Sequence, residues 1–169
     1  MEQLETIRSY WNTRADGYSK SVMEEMEDAQ KEGTYWKTLL DKYLPKADNP
    51  KVLDLGCGPG FFTMMLGQRG CQMTAFDYSD GMLNQAKQNA ASAGVTAEFV
   101  QGDAQKLPFE DETFDIIFNP VSNVYIEDLE NMYKEASRVL KKGGLLMVGF
   151  MNPWIYMYDA DVVWDQPDE

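Results

Sequence analysis

The stretch from Val52 to Thr63, VLDLGCGPGFFT, constrains this chain more than any other. Val52, Leu53 and Leu55 make a short apolar run that suits a buried strand, and the residues from Phe61 onward suit the first turn of a helix. Between them Gly56, Gly58 and Gly60 crowd the turn. Such a backbone can enter φ > 0 and is bare enough for a ligand to lie directly on the main chain. Strand, glycine turn and helix in that order predict a small molecule held at the C-terminal edge of a parallel sheet.

The chain around this stretch alternates strand and helix. The patterning predicts strands over 51–55, 72–77, 96–101, 114–119 and 145–150, with helices over 61–69, 79–93 and 129–140. Ser79 or Asp80 is the expected N-cap of the second helix and Gly94 its stop, while KKGG is expected to end the third. Such βαβ alternation predicts an α/β domain with a doubly wound parallel sheet, right-handed crossovers and helices on both faces. Residues 2–44 read as helical, with Ile7, Tyr10, Trp11 and Tyr18 in one apolar set and Tyr35, Trp36, Leu39, Leu40 and Tyr43 in another. The charged run VMEEMEDAQKEG between them, closed by Gly33, is expected to be a solvated break, and 45–50 a polar linker. The chain therefore divides into an N-terminal helical cap segment, 1–45, and an α/β core, 46–169, within one domain. Tyr10, Trp11, Tyr35 and Trp36 are assigned to core packing, as are Met64 and Met65.

Composition narrows the partners. A chain of 169 residues suits one domain with a sizeable core. Its 15 basic and 28 acidic residues leave a net charge of −13, which repels phosphate backbones, so no nucleic acid is expected. The opening MEQLETIRSY has no basic and apolar leader pattern, and the longest apolar run is too short to span a bilayer. Cytoplasm and no membrane are the expectations. Cys57 and Cys71 flank a helix that would hold them about 15 Å apart, too far for a disulfide, and both are expected as free thiols. With no histidine in the chain, no metal site is expected.

Four candidate sites end successive strands. The glycine loop is the first. Asp77 is the second, placed either to accept ribose hydroxyls or to cap the following helix. Asp103 and Ala104 follow the third strand, where a carboxylate can meet an adenine amino group or simply make a turn. Asn119 ends the fourth. The glycine spacing is G-x-G-x-G, not the dinucleotide G-x-G-x-x-G, with Phe61 where a last glycine would pack. Pro59 removes a donor, and no P-loop lysine follows. A nucleoside without phosphates suits this loop best.

On these motifs the chain resembles the class I S-adenosylmethionine-dependent methyltransferases. VLDLGCGPG is similar to their first motif, FDYSDGML to the acidic second, GDAQKLPFEDETFDII to the third and fourth, and RVLKKGGLLMV to the lead into strand five. The small-molecule type, with a helical cap, also carries a W-x-x-x-A-x-x-Y signature matched by Trp11, Ala15 and Tyr18. The resemblance implies a Rossmann-like fold, S-adenosyl-L-methionine as cofactor and a small-molecule acceptor. It further implies that Gly56, Gly58 and Gly60 underlie the methionine portion and that Asp54 orients that loop and the ligand's amino group. Asp77 would accept the ribose, Tyr78 and Met82 would flank the adenine, and Asp103 and Ala104 would contact it. Asn119 would make a backbone contact near the methionine end, and Tyr18 would close over the cofactor.

Two departures set further expectations. Where many relatives carry histidine after strand four, this chain has Val124-Tyr125, so no base is expected at that position. With no histidine in the chain, carboxylates such as Glu127 or Asp128 and phenols such as Tyr125 are the candidates left, and no catalytic residue is assigned. The family sheet has seven strands, and this sequence supplies five before MNPWIYMYDADVVWDQPDE. Strand five is then an apolar edge, expected in a fragment or in a homodimer that covers it. The alternative to a methyltransferase is a non-catalytic or truncated S-adenosylmethionine-binding module lacking its acceptor lobe.

Overall fold

The computed structural model describes residues 2–29, 31, 34–44 and 48–150. Gly33, part of the linker at 45–50 and the segment after Phe150 lie outside the described residues. Among those described, five parallel strands pair in the order β3-β2-β1-β4-β5. They are β1 (Lys51–Leu55), β2 (Gln72–Asp77), β3 (Ala97–Gln101), β4 (Phe114–Asn119) and β5 (Leu140–Val148). The strand order reverses between β1 and β4, so the crevice of this doubly wound sheet opens above their C-terminal ends.

Burial explains the arrangement. Val52, Leu53, Leu55, Ile116 and Ile117 lose all exposure on the central strands, as expected of strands covered on both faces. One face packs Leu53, Leu55, Phe76 and Ile117 against Met132, Ala136 and Val139 of α5 (Leu129–Val139). The other packs Val52, Ile116 and Phe118 against Met64, Met65 and Leu66 of α3 (Phe61–Gly67), with Leu40 of α2 (Tyr35–Tyr43). α4 (Asp80–Ser92) has Ser79 as N-cap, its hydroxyl accepting from Met82 N.

Two elements depart from the sequence patterning. The first helix, α1 (Glu2–Ala29), runs unbroken through much of the charged segment expected to be solvated. Met26 near its end is buried in the α2–α3 cluster, and this packing holds the segment helical. β5 begins at Leu140, which pairs with Phe114 although the next paired residue is Leu145, opposite Ile116. KKGG is thus a bulge within the strand, and Gly143 takes φ 78° there. No described helix is long and apolar enough to cross a membrane.

Candidate active site

The three loop glycines serve three different contacts. Gly56 (φ 76°) and Cys57 donate their amides to Phe76 O at 2.8 and 3.0 Å, which ties the loop to β2. A side chain on Gly56 would collide with Ser122, in the 3-10 turn Ser122–Tyr125 after β4. Gly60 (φ 90°) lets α3 approach α4, where an added Cβ would stand 3.2 Å from Ala86 Cα. Gly58 (φ 52°) differs, because the nearest atom to an added Cβ is Tyr18 Cε1 at 3.9 Å. Open space lies above Gly58.

Asp77 binds this loop from the end of β2. One carboxylate oxygen accepts Gly58 N at 2.8 Å and the other accepts Ser79 N at 2.9 Å. Burial raises its pKa, and the backbone donors oppose that shift. Ser79, not Asp77, caps α4. After β3, Asp103 accepts from Gln105 N at 2.9 Å, a local turn that sets the carboxylate at the cleft wall.

Helix α1 roofs the crevice, latched by polar contacts to the start of α4. Asn12 Nδ2 donates to Asp80 at 2.9 Å, while Asn12 Oδ1 accepts from Gly81 N and from the Ser79 hydroxyl. Arg8 Nε donates to the same Asp80 carboxylate at 3.1 Å. Further along, Asn89 of α4 donates to Ser19 Oγ and to Pro59 O, both at 2.9 Å. Gly81 makes the approach possible, since a Cβ there would lie 3.1 Å from Asn12 Cα.

Under this roof is a cleft of about 410 Å³. Tyr18, Gly56, Gly58, Asp77, Tyr78, Met82, Asp103 and Ala104 all line it. Asp54, Gly60 and Asn119 do not, and they stand behind its wall. Asp54 is 1% exposed and accepts from Thr63 Oγ1 at 2.6 Å; its other oxygen has no hydrogen-bond partner among the described residues. Burial pushes its carboxyl up to about 7, against the lowering effect of the Thr63 hydrogen bond. Asn119 donates to Leu55 O at 2.7 Å and to Ser122 Oγ at 2.8 Å, pinning the 3-10 turn to the end of β1. Cys57 and Cys71 are free and buried.

Some residues read as core or as bases sit elsewhere. Trp11 and Trp36, expected in the core, line the cleft, whereas Tyr10 and Tyr35 lie on the surface. Trp11 stacks edge-on against Tyr125 at 5.1 Å and tilts against Tyr18 at 5.4 Å, joining the roof to the 3-10 turn. Of the candidate bases, Tyr125 lines the cleft; Glu127 and Asp128 are exposed, and Asp128 caps α5 by accepting from Asn131 N. Asn12, Arg8 and Ser122 carry no local signal in the sequence that would have singled them out.

The lining fits an adenosyl sulfonium better than a polyphosphate. Its acids, Asp77 and Asp103, favour hydroxyl donors and positive charge, and Arg8 is the one basic residue lining it among the described residues, already paired to Asp80 and Glu5. The rings of Trp11 and Tyr18 add faces suited to a cation.

Comparison with known proteins gives the family. Residues 53–148 match the family described as "Methyltransferase domain". The uncharacterized methyltransferase YbaJ of Bacillus subtilis (strain 168) is 37% identical over 130 residues, covering 76% of this chain and 51% of YbaJ. The crystal structure of PH0226 from Pyrococcus horikoshii OT3 is 41% identical, with a TM-score of 0.62 over 66% of this chain and 53% of that one. A candidate S-adenosyl-L-methionine-dependent methyltransferase from Methanococcus maripaludis, solved at 1.15 Å, aligns with a TM-score of 0.67 and 26% identity over 85% of this chain and 65% of its own. This chain spans about half the length of YbaJ.

Proposed function

The chain belongs to the methyltransferase-domain family, and on that premise we propose that it binds S-adenosylmethionine under α1 and transfers the methyl group to a small-molecule acceptor. The observation that carries this reading is the Asp77–Gly58 pair on the cleft floor, with open space above Gly58 and the ring of Tyr18 beyond it. Asp77 would hold the ribose hydroxyls, and Tyr78, Met82, Asp103 and Ala104 would enclose the adenine. Gly56 and Gly58 would lie under the methionine portion. When bound, S-adenosylmethionine supplies an activated methyl group on a positively charged sulfur.

The protein's own contribution is then placement and shelter. α1 covers part of the cleft, so reacting groups meet in a site partly shielded from bulk water. Positioning of this kind lowers a barrier by up to about 10 kcal/mol. Asp54 supports it indirectly, since its bond to Thr63 ties the end of β1 to the first turn of α3 on either side of the loop. Tyr125 is the lining phenol nearest to Trp11 in the roof, and its hydroxyl is the proton acceptor open to test.

Calorimetric titration tests the cofactor reading. Saturable binding of S-adenosylmethionine and of its demethylated product S-adenosylhomocysteine is the expected result, and no heat from either would overturn it. Turnover with methyl-labelled cofactor against a panel of small acceptors separates a methyltransferase from a module that only binds.

A further inference from the structure

Beyond Gly58 the cleft continues toward β4 and changes character. α1 marks the direction: Arg8 sits over Asp80 just past β2, Tyr18 stands by Gly58, and Val22 lies about one helical turn further. The wall at this end is built by Val22, Trp36 of α2, Phe61 and Phe62 of α3, and Val121 after β4. Trp36 and Phe61 each pack edge-on against Phe62 with ring centroids 4.7 Å apart, so these rings form one continuous surface. None of the five side chains carries a charge. The polar neighbours lining the cleft on the β4 side are hydroxyls of Ser122 and Tyr125, and the Ser122 hydroxyl already donates to Leu55 O and accepts from Asn119.

Three helices and the loop after β4 contribute apolar side chains to this wall, while the acids Asp77 and Asp103 stand at the other end. A charged molecule placed against it would lose hydration and meet no counter-charge among the described residues, which is costly. A hydrocarbon placed there gains about fourfold in affinity for each methylene it buries. We infer that the β4 end of the cleft receives the methyl acceptor, and that this acceptor is an uncharged, hydrocarbon-rich molecule seated against Val22, Trp36, Phe61 and Val121. The inference rests on the cofactor reading given under Proposed function.

The test uses 4-alkylphenols as probes, titrated calorimetrically with and without saturating S-adenosylhomocysteine. Lengthening the probe from 4-propylphenol to 4-hexylphenol is expected to tighten binding by roughly tenfold or more. A probe with the same chain ending in a carboxylate is expected to bind at least tenfold more weakly than 4-hexylphenol. Val121→Asp, at a position 53% exposed and so tolerant of a charge, and Val22→Asp are each expected to weaken 4-hexylphenol binding by tenfold or more. S-adenosylhomocysteine titrated into each variant reports whether the cleft floor is intact. Affinity that ignores chain length, a carboxylate probe that binds equally well, or two folded variants that bind like the parent would each overturn the inference. A chain that binds the alkylphenols as expected and no S-adenosylhomocysteine would instead overturn the cofactor reading, and with it the role of the bound molecule as methyl acceptor, while leaving the apolar site itself in place.

Discussion

Asp77 holds two backbone amides, Gly58 N and Ser79 N, so the same carboxylate shapes the glycine loop and faces the cleft. Removing it leaves those donors unmatched and takes away the acceptor expected for the ribose. Asp77→Ala should weaken S-adenosylmethionine binding by about 1–3 kcal/mol, read by calorimetry, and an unchanged dissociation constant would remove Asp77 from the binding site. Gly58 poses the complementary case, because its φ of 52° is strained for a β-branched residue and the space above it is open. Gly58→Val should abolish measurable cofactor binding at a folding cost of about 1–3 kcal/mol. Retained affinity would mean that the ligand does not lie on this loop.

At the scale of elements, α1 is a roof whose seat is polar. Asn12 contacts Asp80, Gly81 and the Ser79 hydroxyl together, joining the helix to the whole start of α4. Asn12→Ala leaves those groups without their partner and should cost about 1–3 kcal/mol in urea unfolding, with weaker cofactor binding as the roof loosens. A variant with parental stability and affinity would show that the latch is dispensable. A second polar knot fixes the opposite side: Arg138 of α5 donates to Leu107 O, Phe109 O, Glu135 and Asp111. Arg138→Met should destabilise the loop between β3 and β4 by about 2 kcal/mol or more, measured as faster amide exchange at Leu107 and Phe109.

The whole molecule carries a pH dependence centred on Asp54. Its folded-state pKa of about 7 lies above the ordinary carboxylate value of 3.8, so the folded state holds a proton that the unfolded state has released between those limits. Stability from this group is therefore full below about pH 4, falls as pH rises toward 7, and levels off above it. The span corresponds to at most about 4 kcal/mol. Asp77, also raised, acts in the same direction. Asp54→Asn keeps an acceptor for Thr63 and removes the titration, so its urea-unfolding free energy should fall much less between pH 5 and 8 than that of the parent. Parallel curves would assign the dependence to other groups.

Local chemistry made much of this legible. Three of the five strands, β1, β2 and β4, keep the bounds that their apolar runs give, and of the two cap candidates, Ser79 and Asp80, the structure takes Ser79. The sequence by itself also determined that a glycine turn leads from a buried strand into a helix, that an acid ends the second strand and that another follows the third, because backbone freedom and charge belong to single residues. Tertiary structure decided the rest. Whether Trp36 packs in the core or faces a ligand depends on which element lies opposite it, and Asp54, Gly60 and Asn119 fall behind the cleft wall because neighbouring strands and helices fill the space in front of them. Leu140 joins the sheet only because Phe114 waits beside it, and α1 stays helical to Ala29 because Met26 finds an apolar cluster to enter. Such contacts join residues far apart in the chain, so no window of neighbouring residues contains them.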